Sequence, residues 1–528
     1  MWQFFADYPW FTLFIVIAAG SLFGMVRFGP VKLGAAGVLF AGLLVGALDP
    51  DVGPAVPAGL SVLGLALYVY TVGLEAGPAF FRELRPQLAV MLGAVAALVL
   101  TALAVGLVGS GLLGIPGPFL AGGYAGIGTT TPGLAAAQAA SDDPAQAATG
   151  YAIGYPLAVV LTILFVAAVA AVRNWPGRRD PGTGLPGRLV SRTADITRPA
   201  RWADVPGAAS GQLLASAHRP AGSTVRVVTG DDPGPLAPGD RLVLVGGPEA
   251  VAAGIAALGT EAPEHLLLHR DVVDYRRILL TNPDLAARTV AELRLGDRYG
   301  ARATRVRRGD QDLLAHDDLL LQLDDRIRVA MPRERVAEVT AHLGDTEAKV
   351  SEVSAVSMGL GLAAGFLIGI PELTIGSTAL SLGTAAGPLV MAMVLGRLRR
   401  TGPLVWVLPT RANLTLRQIG LLVFLACVGL TSGYAFRRDA FSVFGLKLLA
   451  VLAVGAVLSY ALMVLVCRLL GQSRPRTMGL LAGYVGNPAI TAYANGRVSD
   501  DRVNTGYATL FALAVLVKIV CVQLIVGL

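Results

Sequence analysis

Charge is what this sequence lacks over most of its length. Only 15% of its 528 residues are charged, against roughly 25% in soluble proteins, and 25 of the 43 Lys/Arg and 24 of the 36 Asp/Glu crowd between residues 173 and 350. Outside that segment the chain is too apolar for a soluble domain. Cysteine is equally scarce. Cys427, Cys467 and Cys521 sit singly in apolar runs with no CxxC spacing, which excludes a disulfide framework and leaves them as packing residues. No GxGxxG follows any strand pattern, so a dinucleotide-binding half is excluded and no cofactor is expected. Histidine is confined to the middle segment; His265 and His269 are four apart, but no third ligand is spaced for zinc, so no metal is expected. No nucleophile, base and metal constellation supports an enzyme. The start, MWQFFADYPWF, lacks a basic leader, so the first apolar segment is expected to stay in the mature chain. The net charge of +7 comes from the apolar parts rather than the nearly balanced middle, which argues for membrane loops and against nucleic acid. The cluster Arg302, Arg305, Arg307 and Arg308 reads as a solvated face.

What is there is long apolar runs in two blocks around the charged segment. Stretches of spanning length fall near 10–28, 33–48, 59–81, 88–113 and 150–172, then near 353–371, 382–398, 416–436, 441–468 and 505–527. Segments 117–140 and 476–496 are apolar but broken by Gly, Pro and hydroxyl residues. If each dips in and returns on the same side, Arg27, Lys32, Arg82, Arg85 and Arg173 share one side, while Asp7, Asp49, Asp51, Asp142 and Asp143 share the other. The excess of Lys and Arg marks the cytoplasmic side. The expected fold is therefore a polytopic α-helical membrane protein of two halves, each with five spans and one re-entrant hairpin. Its insert would be cytoplasmic and both termini outside.

The halves repeat. A constant shift of 356 pairs Gly64-Leu65 with Gly420-Leu421, Val72-Gly73-Leu74 with Val428-Gly429-Leu430, Pro132 with Pro488, and Thr149-Gly150-Tyr151-Ala152 with Thr505-Gly506-Tyr507-Ala508. With an odd number of crossings per repeat, the second copy is inserted upside down. Inverted repeats with broken segments at matching positions point to a secondary transporter with its site near the bilayer midplane.

The broken segments carry the expected chemistry. In GTTTPGLAAAQAA from Gly128 and GNPAITAYAN from Gly486, Thr131 and Asn487 suit a helix N-cap, and Pro132 and Pro488 suit the first helical position. Each following helix would run about nine residues, roughly 13 Å, and place its positive end at mid-membrane depth. Two such ends would hold a small carboxylate or amino acid. The candidate substrate-binding residues are Gly128, Thr129, Thr130, Thr131, Pro132, Gly133 and Gln138 in the first segment. Gly486, Asn487, Pro488, Ala489 and Asn495 are their counterparts in the second. Lys518 joins them because it falls near the centre of the last span, where a cation is costly and by default functional; it would bind a substrate carboxylate or form an ion pair. Its repeat mate is Thr162. Glu75, near one end of the third span, is a candidate proton or substrate group, with an interfacial carboxylate as the alternative reading.

The charged segment has its own duplication at a shift of 85, pairing Asp240-Arg241 with Asp325-Arg326 and Leu258-Gly259 with Leu343-Gly344. Each copy reads as strands followed by a helix, a small α+β module. The expected domains are residues 1–174 and 349–528 for the two membrane repeats, with modules at 175–262 and 263–348.

These features together resemble the aspartate:alanine exchanger family of bacterial antiporters, with two insert modules similar to the C-terminal lobes of regulators of potassium conductance (RCK, TrkA-C). The resemblance is carried by GTTTPGLAAAQ from Gly128, LTNPDLAARTVAELRLGDRYGARATRVRRG from Leu280, GPLVWVLPTRANLTLRQIGLLVFLACVGLTSGYAF from Gly402 and GYATLFALAVLVKIV from Gly506. It implies exchange of small amino acids or dicarboxylates across the bacterial inner membrane by a homodimer, with a small ligand regulating the insert. An RCK-gated ion channel and a proton- or sodium-coupled carboxylate symporter are the alternatives. A channel would need a carbonyl selectivity motif of the TVGYG kind, and none occurs.

Overall fold

The computed structural model describes residues 2–527 apart from 29–30, 33, 173, 176–188, 267–271, 309–310, 345–353, 376–377, 499 and 501. Arg173 and His269, and the side chains of Arg27 and Lys32, lie outside the described residues. The chain forms two compact units: one of residues 1–182, 355–398 and 414–528, the other of residues 183–354 and 399–413.

The first unit is helical, because its apolar runs have no water to satisfy their peptide groups and must do so within the segment. In the first repeat these helices are α1 (Pro9–Gly24), α2 (Ala36–Gly46), α3 (Ala58–Glu83), α4 (Leu88–Gly106), the pair α5 (Gly117–Ile127) and α6 (Thr131–Ala139), and α7 (Pro144–Ala171). In the second they are α10 (Ala355–Gly369), α11 (Gly383–Leu398), α12 (Thr410–Asp439), α13 (Val443–Leu469), the pair α14 (Arg474–Val485) and α15 (Pro488–Arg497), and α16 (Arg502–Val526). Six of these, α3, α4, α7, α12, α13 and α16, are long and apolar enough to cross a membrane, and α1, α2, α10 and α11 are shorter apolar helices. Buried hydroxyls follow the same rule as the backbone: Thr101 and Thr162 donate to Ala97 O at 2.7 Å and Ala158 O at 2.6 Å on their own helices.

The broken pairs are re-entrant hairpins. Along α5, Phe119, Gly122 and Gly126 approach Gly150, Ala147 and Tyr151 of α7, so these helices run parallel. After α6 the chain is back at its entry level, because Pro116, Pro118, Ala139 and Asp142 line one cavity. In the second repeat, Gly479 and Gly483 of α14 approach Val503 and Tyr507 of α16, again parallel, and Asn495 at the end of α15 bonds Asn504 at the start of α16 at 2.8 Å.

The hairpins enter from opposite ends. The mouth of the first lies beside Gln523 and Val526 at the end of α16, whereas Arg474 at the mouth of the second reaches Ala170 O and Val172 O at the end of α7. Helix α7, 28 residues and about 42 Å long, thus runs from one mouth to the other. Inversion also appears as exchanged partners. Helix α2 packs through Gly42 and Gly46 on α12, while its mate α11 packs on α3 at Gly73 and Gly77. At the crossing of α3 and α12, Gly64 and Gly420 face each other's carbonyl oxygens so closely that a side chain on either would collide with the other backbone. These two glycines are mates in the 356 register.

The second unit contains two larger antiparallel sheets and a two-stranded antiparallel pair, Arg400–Thr401 with Leu404–Val405. Strands β1 (Val190–Ile196), β2 (Leu213–Arg219), β3 (Arg226–Val227), β4 (Arg241–Gly246) and β5 (Gly259–Glu261) are ordered β3-β2-β4-β1-β5, with α8 (Pro248–Leu258) following β4. Strands β6 (Val273–Leu279), β7 (Arg302–Arg308), β8 (Gln311–Leu314) and β9 (Arg326–Pro332) are ordered β8-β7-β9-β6, with α9 (Val336–Leu343) following β9. In both, the strand that opens with the repeated Asp-Arg pair sits between the same two neighbours, as the 85-residue duplication predicts.

Candidate functional site

The tips of the two hairpins meet in the middle of the first unit. Thr129 Oγ1 donates to Val485 O at 2.9 Å, and these residues are mates in the 356 register, so the contact lies on the axis relating the repeats. Thr129 holds this place with φ of 43°, a left-handed conformation uncommon for a β-branched residue, and Gly486 turns the other tip at φ of 92°. Lys518 is 1% exposed, and its ammonium donates to Gly128 O at 2.8 Å, Tyr484 O at 2.6 Å and Val485 O at 2.9 Å. Gly128 and Tyr484 are mates as well. One cation therefore fills its three N–H directions with carbonyls at the C-terminal ends of α5 and α14, the negative ends of both dipoles. A side chain at Gly128 would run into the Lys518 stem.

Tyrosines and a serine complete the support. Tyr460 donates to Ile127 O at 2.5 Å, Tyr124 to Leu98 O at 2.9 Å, and the Tyr484 hydroxyl bonds Ser459 at 2.7 Å. Every one of these side chains is buried.

The positive helix ends point the other way. Asn487 caps α15 as expected, accepting from Ala489 N at 3.0 Å with Pro488 in the first position. In the first hairpin the cap falls one residue earlier than expected: Thr130, in an extended conformation, accepts from Gly133 N at 3.3 Å, while Thr131 and Pro132 open α6. The left-handed turn at Thr129 is what sets Thr130 rather than Thr131 at the boundary. Tyr151 lies against Thr131 and Tyr155 against Asn487. Thr129, Thr130, Thr131 and Pro132 line, with Tyr68, Leu389 and Gly486, a cavity of about 10 Å³, room for about one water molecule. A far larger cavity, about 670 Å³, opens at the mouth of the first hairpin and follows α6 as far in as Ala135.

Two expected site residues are elsewhere. Gln138 and Asn495 lie at the hairpin mouths, bonded to Pro144 O at 3.3 Å and to Asn504, about 10 Å along the helix from the tips. Their position late in α6 and α15 carries them away from the helix N-termini. Glu75 forms an ion pair with Arg417 at 3.0 Å. Arg417 is not among the expected site residues, although it falls within the apolar helix α12. Nor is Glu83, whose carboxylate meets the nearly buried Arg476 of α14 at 2.6 Å.

In the second unit, polar burial is structural. His218 Nε2 bonds Asp240 at 3.1 Å, and the Arg226 guanidinium lies 3.1 Å from its Nδ1. Burial pushes the Asp240 carboxyl up, but the N–H groups of Ala237 and Ala221 and the His218 ring outweigh it and hold it below the usual carboxylate range. His265 bonds Thr193 and Ser191 O, both at 2.9 Å, and burial lowers it below the usual imidazole value. Among the described residues no group of three or more His, Cys, Asp or Glu side chains is placed to hold a metal ion.

Comparison with known proteins agrees with this architecture. Residues 12–171 and 357–527 match the aspartate–alanine exchanger family model described as a predicted permease membrane region, and residues 275–344 match the TrkA-C domain. An uncharacterized transporter of Cutibacterium acnes is 41% identical over 525 residues, 99% of both chains. Others from Geobacter sulfurreducens and Corynebacterium efficiens are 38% and 36% identical, covering 98% and 99% of both chains respectively. No solved structure matches. The helices, the inverted halves and the matched regions place this chain in the aspartate–alanine exchanger permease family, as a membrane transporter with a TrkA-C domain in its insert.

Proposed function

We propose that the protein is an antiporter that exchanges small amino acids or dicarboxylates of the aspartate/alanine type by alternating access. The observation that carries this reading is the meeting of two inverted hairpin tips on the repeat axis, with Lys518 bound to the carbonyls of symmetry mates. The cation neutralises the carbonyl ends, which leaves the capped N-termini of α6 and α15 as the electropositive face for a substrate carboxylate. Thr129, Thr130, Thr131, Gly133, Asn487 and Ala489 would contact it, and Lys518 would position both tips. The cavity at the first mouth supplies access from one end, and a rearrangement would open the other end in turn. The arginine-rich loops put the insert in the cytoplasm and the termini outside the inner membrane. The 175–262 and 263–348 modules would dimerise the protein and bind a small regulatory ligand.

Purified protein in liposomes loaded with unlabelled aspartate or alanine should take up labelled aspartate, and empty liposomes should not. Uptake into empty liposomes driven by a proton or sodium gradient would replace exchange with symport.

A further inference from the structure

Almost every buried hydroxyl described above in the helical unit has a partner. Thr491 Oγ1, Tyr507 OH and Ser432 Oγ are the hydroxyls in that unit that are shut off from solvent with no partner among the described residues. Two of the three belong together. Helices α15 and α16 are antiparallel, and the bond between Asn495 and Asn504 sets their register, so Thr491, one turn closer to the tip, lies level with Tyr507 and Ala508. Arg417 of α12 is close enough to Tyr507 for its charge to act on that hydroxyl, as is Glu75. Arg417 also acts on Tyr68, which lines the tip cavity.

The ion pair joining Arg417 to Glu75 is lopsided. The arginine side chain is 21% exposed and the glutamate 59% exposed. The half-buried guanidinium depends more on a facing carboxylate than the largely exposed carboxylate depends on it. Such a pair holds its cation permanently and its anion exchangeably.

We infer that Arg417, with the hydroxyls of Tyr507 and Thr491, binds the second carboxylate of a dicarboxylate substrate, and that Glu75 stands in for it in the empty protein. This rests on the exchange reading above and narrows its substrate class. The first carboxylate sits at the helix ends of the tips; Thr491 is one turn from Asn487, about 6 Å, within the span of a four- or five-carbon dicarboxylate. A neutral amino acid would use the tips alone and leave Glu75 on Arg417. The site thereby distinguishes the two members of an exchange pair by whether they displace a protein carboxylate.

The test uses full-length protein in proteoliposomes, with labelled L-aspartate, succinate and L-alanine in counterflow, and thermal unfolding of the detergent-purified protein with and without each. Arg417→Gln should raise KM for aspartate and succinate about tenfold or more and change that for alanine less than about twofold. Arg417→Lys should fall between, since it keeps the charge but not the fork. Tyr507→Phe and Thr491→Val should each raise the aspartate KM by about threefold. Glu75→Gln should lower it, because the competitor is gone. Parallel loss for aspartate and alanine in Arg417→Gln, or an equal loss in Glu75→Gln, would make the pair a structural tie and overturn the inference. If the wild type exchanges none of the three, the exchange reading falls on its own. The site then stands if aspartate raises the unfolding temperature of the wild type but not of Arg417→Gln, and falls if it raises neither.

Discussion

The two repeats meet as near equals in backbone and as unequals in chemistry. Gly128 and Tyr484 offer equivalent carbonyls, and both go to one ammonium. The mate of Lys518 is Thr162, whose hydroxyl is spent on its own helix. A point on a two-fold axis has room for one ammonium, so a second lysine at Thr162 would bring a like charge into an occupied site. The caps differ as well. Thr130 caps α6 and Asn487 caps α15, one register position apart, because the first tip turns at Thr129 and the second at Gly486. Symmetry of fold supplies two helix ends, and the departure from symmetry makes them distinguishable to an asymmetric solute.

Removing the cation should have the largest effect. Lys518→Met is expected to abolish exchange in proteoliposomes and to cost about 3 kcal/mol or more in unfolding, since three buried carbonyls lose their donor. Retention of wild-type transport would detach the lysine from the site. Pairing Lys518→Thr with Thr162→Lys asks whether the axis site can be served from the other repeat: recovery of any exchange above Lys518→Met would show that position, not helix, matters.

The tip contact and the caps come next. Thr129→Val keeps the shape and deletes the bond to Val485, and should cost about 1 kcal/mol and slow exchange. Thr130→Ala and Asn487→Ala should each cost about 1 kcal/mol. If the two hairpins bind different ends of the substrate, those two variants will shift KM values for aspartate and alanine by unequal factors in counterflow; equal factors would erase the functional difference between the tips.

The smallest effect lies in the insert. Asp240 is held below its unfolded value, so its contribution to stability is present above the ordinary carboxylate value and is lost as pH falls through the lower, folded one. Hydrogen-exchange protection factors of residues 190–246 in the full-length protein, corrected for the intrinsic pH dependence of amide exchange, should therefore fall only at acidic pH. Asp240→Asn should weaken that dependence; an unchanged profile would assign the acid response to other groups.

Much of this was legible because a repeat is a long-range statement written in one dimension. The shift of 356 already pairs residue 129 with residue 485, and their hydrogen bond realises that pairing in space. The prolines at 132 and 488 mark where helices must begin, since proline lacks the N–H that an interior position needs. Gln138 and Asn495 lie away from the tips because adjacency in the chain is not adjacency at a helix end: a few turns carry a side chain about 10 Å away. Arg417 was not among the expected site residues because it lies at the very edge of the apolar span near 416–436, where the sequence does not distinguish a loop charge from an embedded one.

The sequence by itself determined where the helices lie, where they break, and that the second half inverts the first. These follow from apolar length, from proline and from an odd count of crossings, all local or periodic properties. Only the tertiary structure decided what Lys518 holds and which carboxylate faces Arg417. Lys518 lies 390 residues from Gly128, and Arg417 lies 342 from Glu75. Partners that far apart are selected by packing geometry, and whether a buried cation meets a carbonyl or a carboxylate depends on distances that the order of residues does not contain.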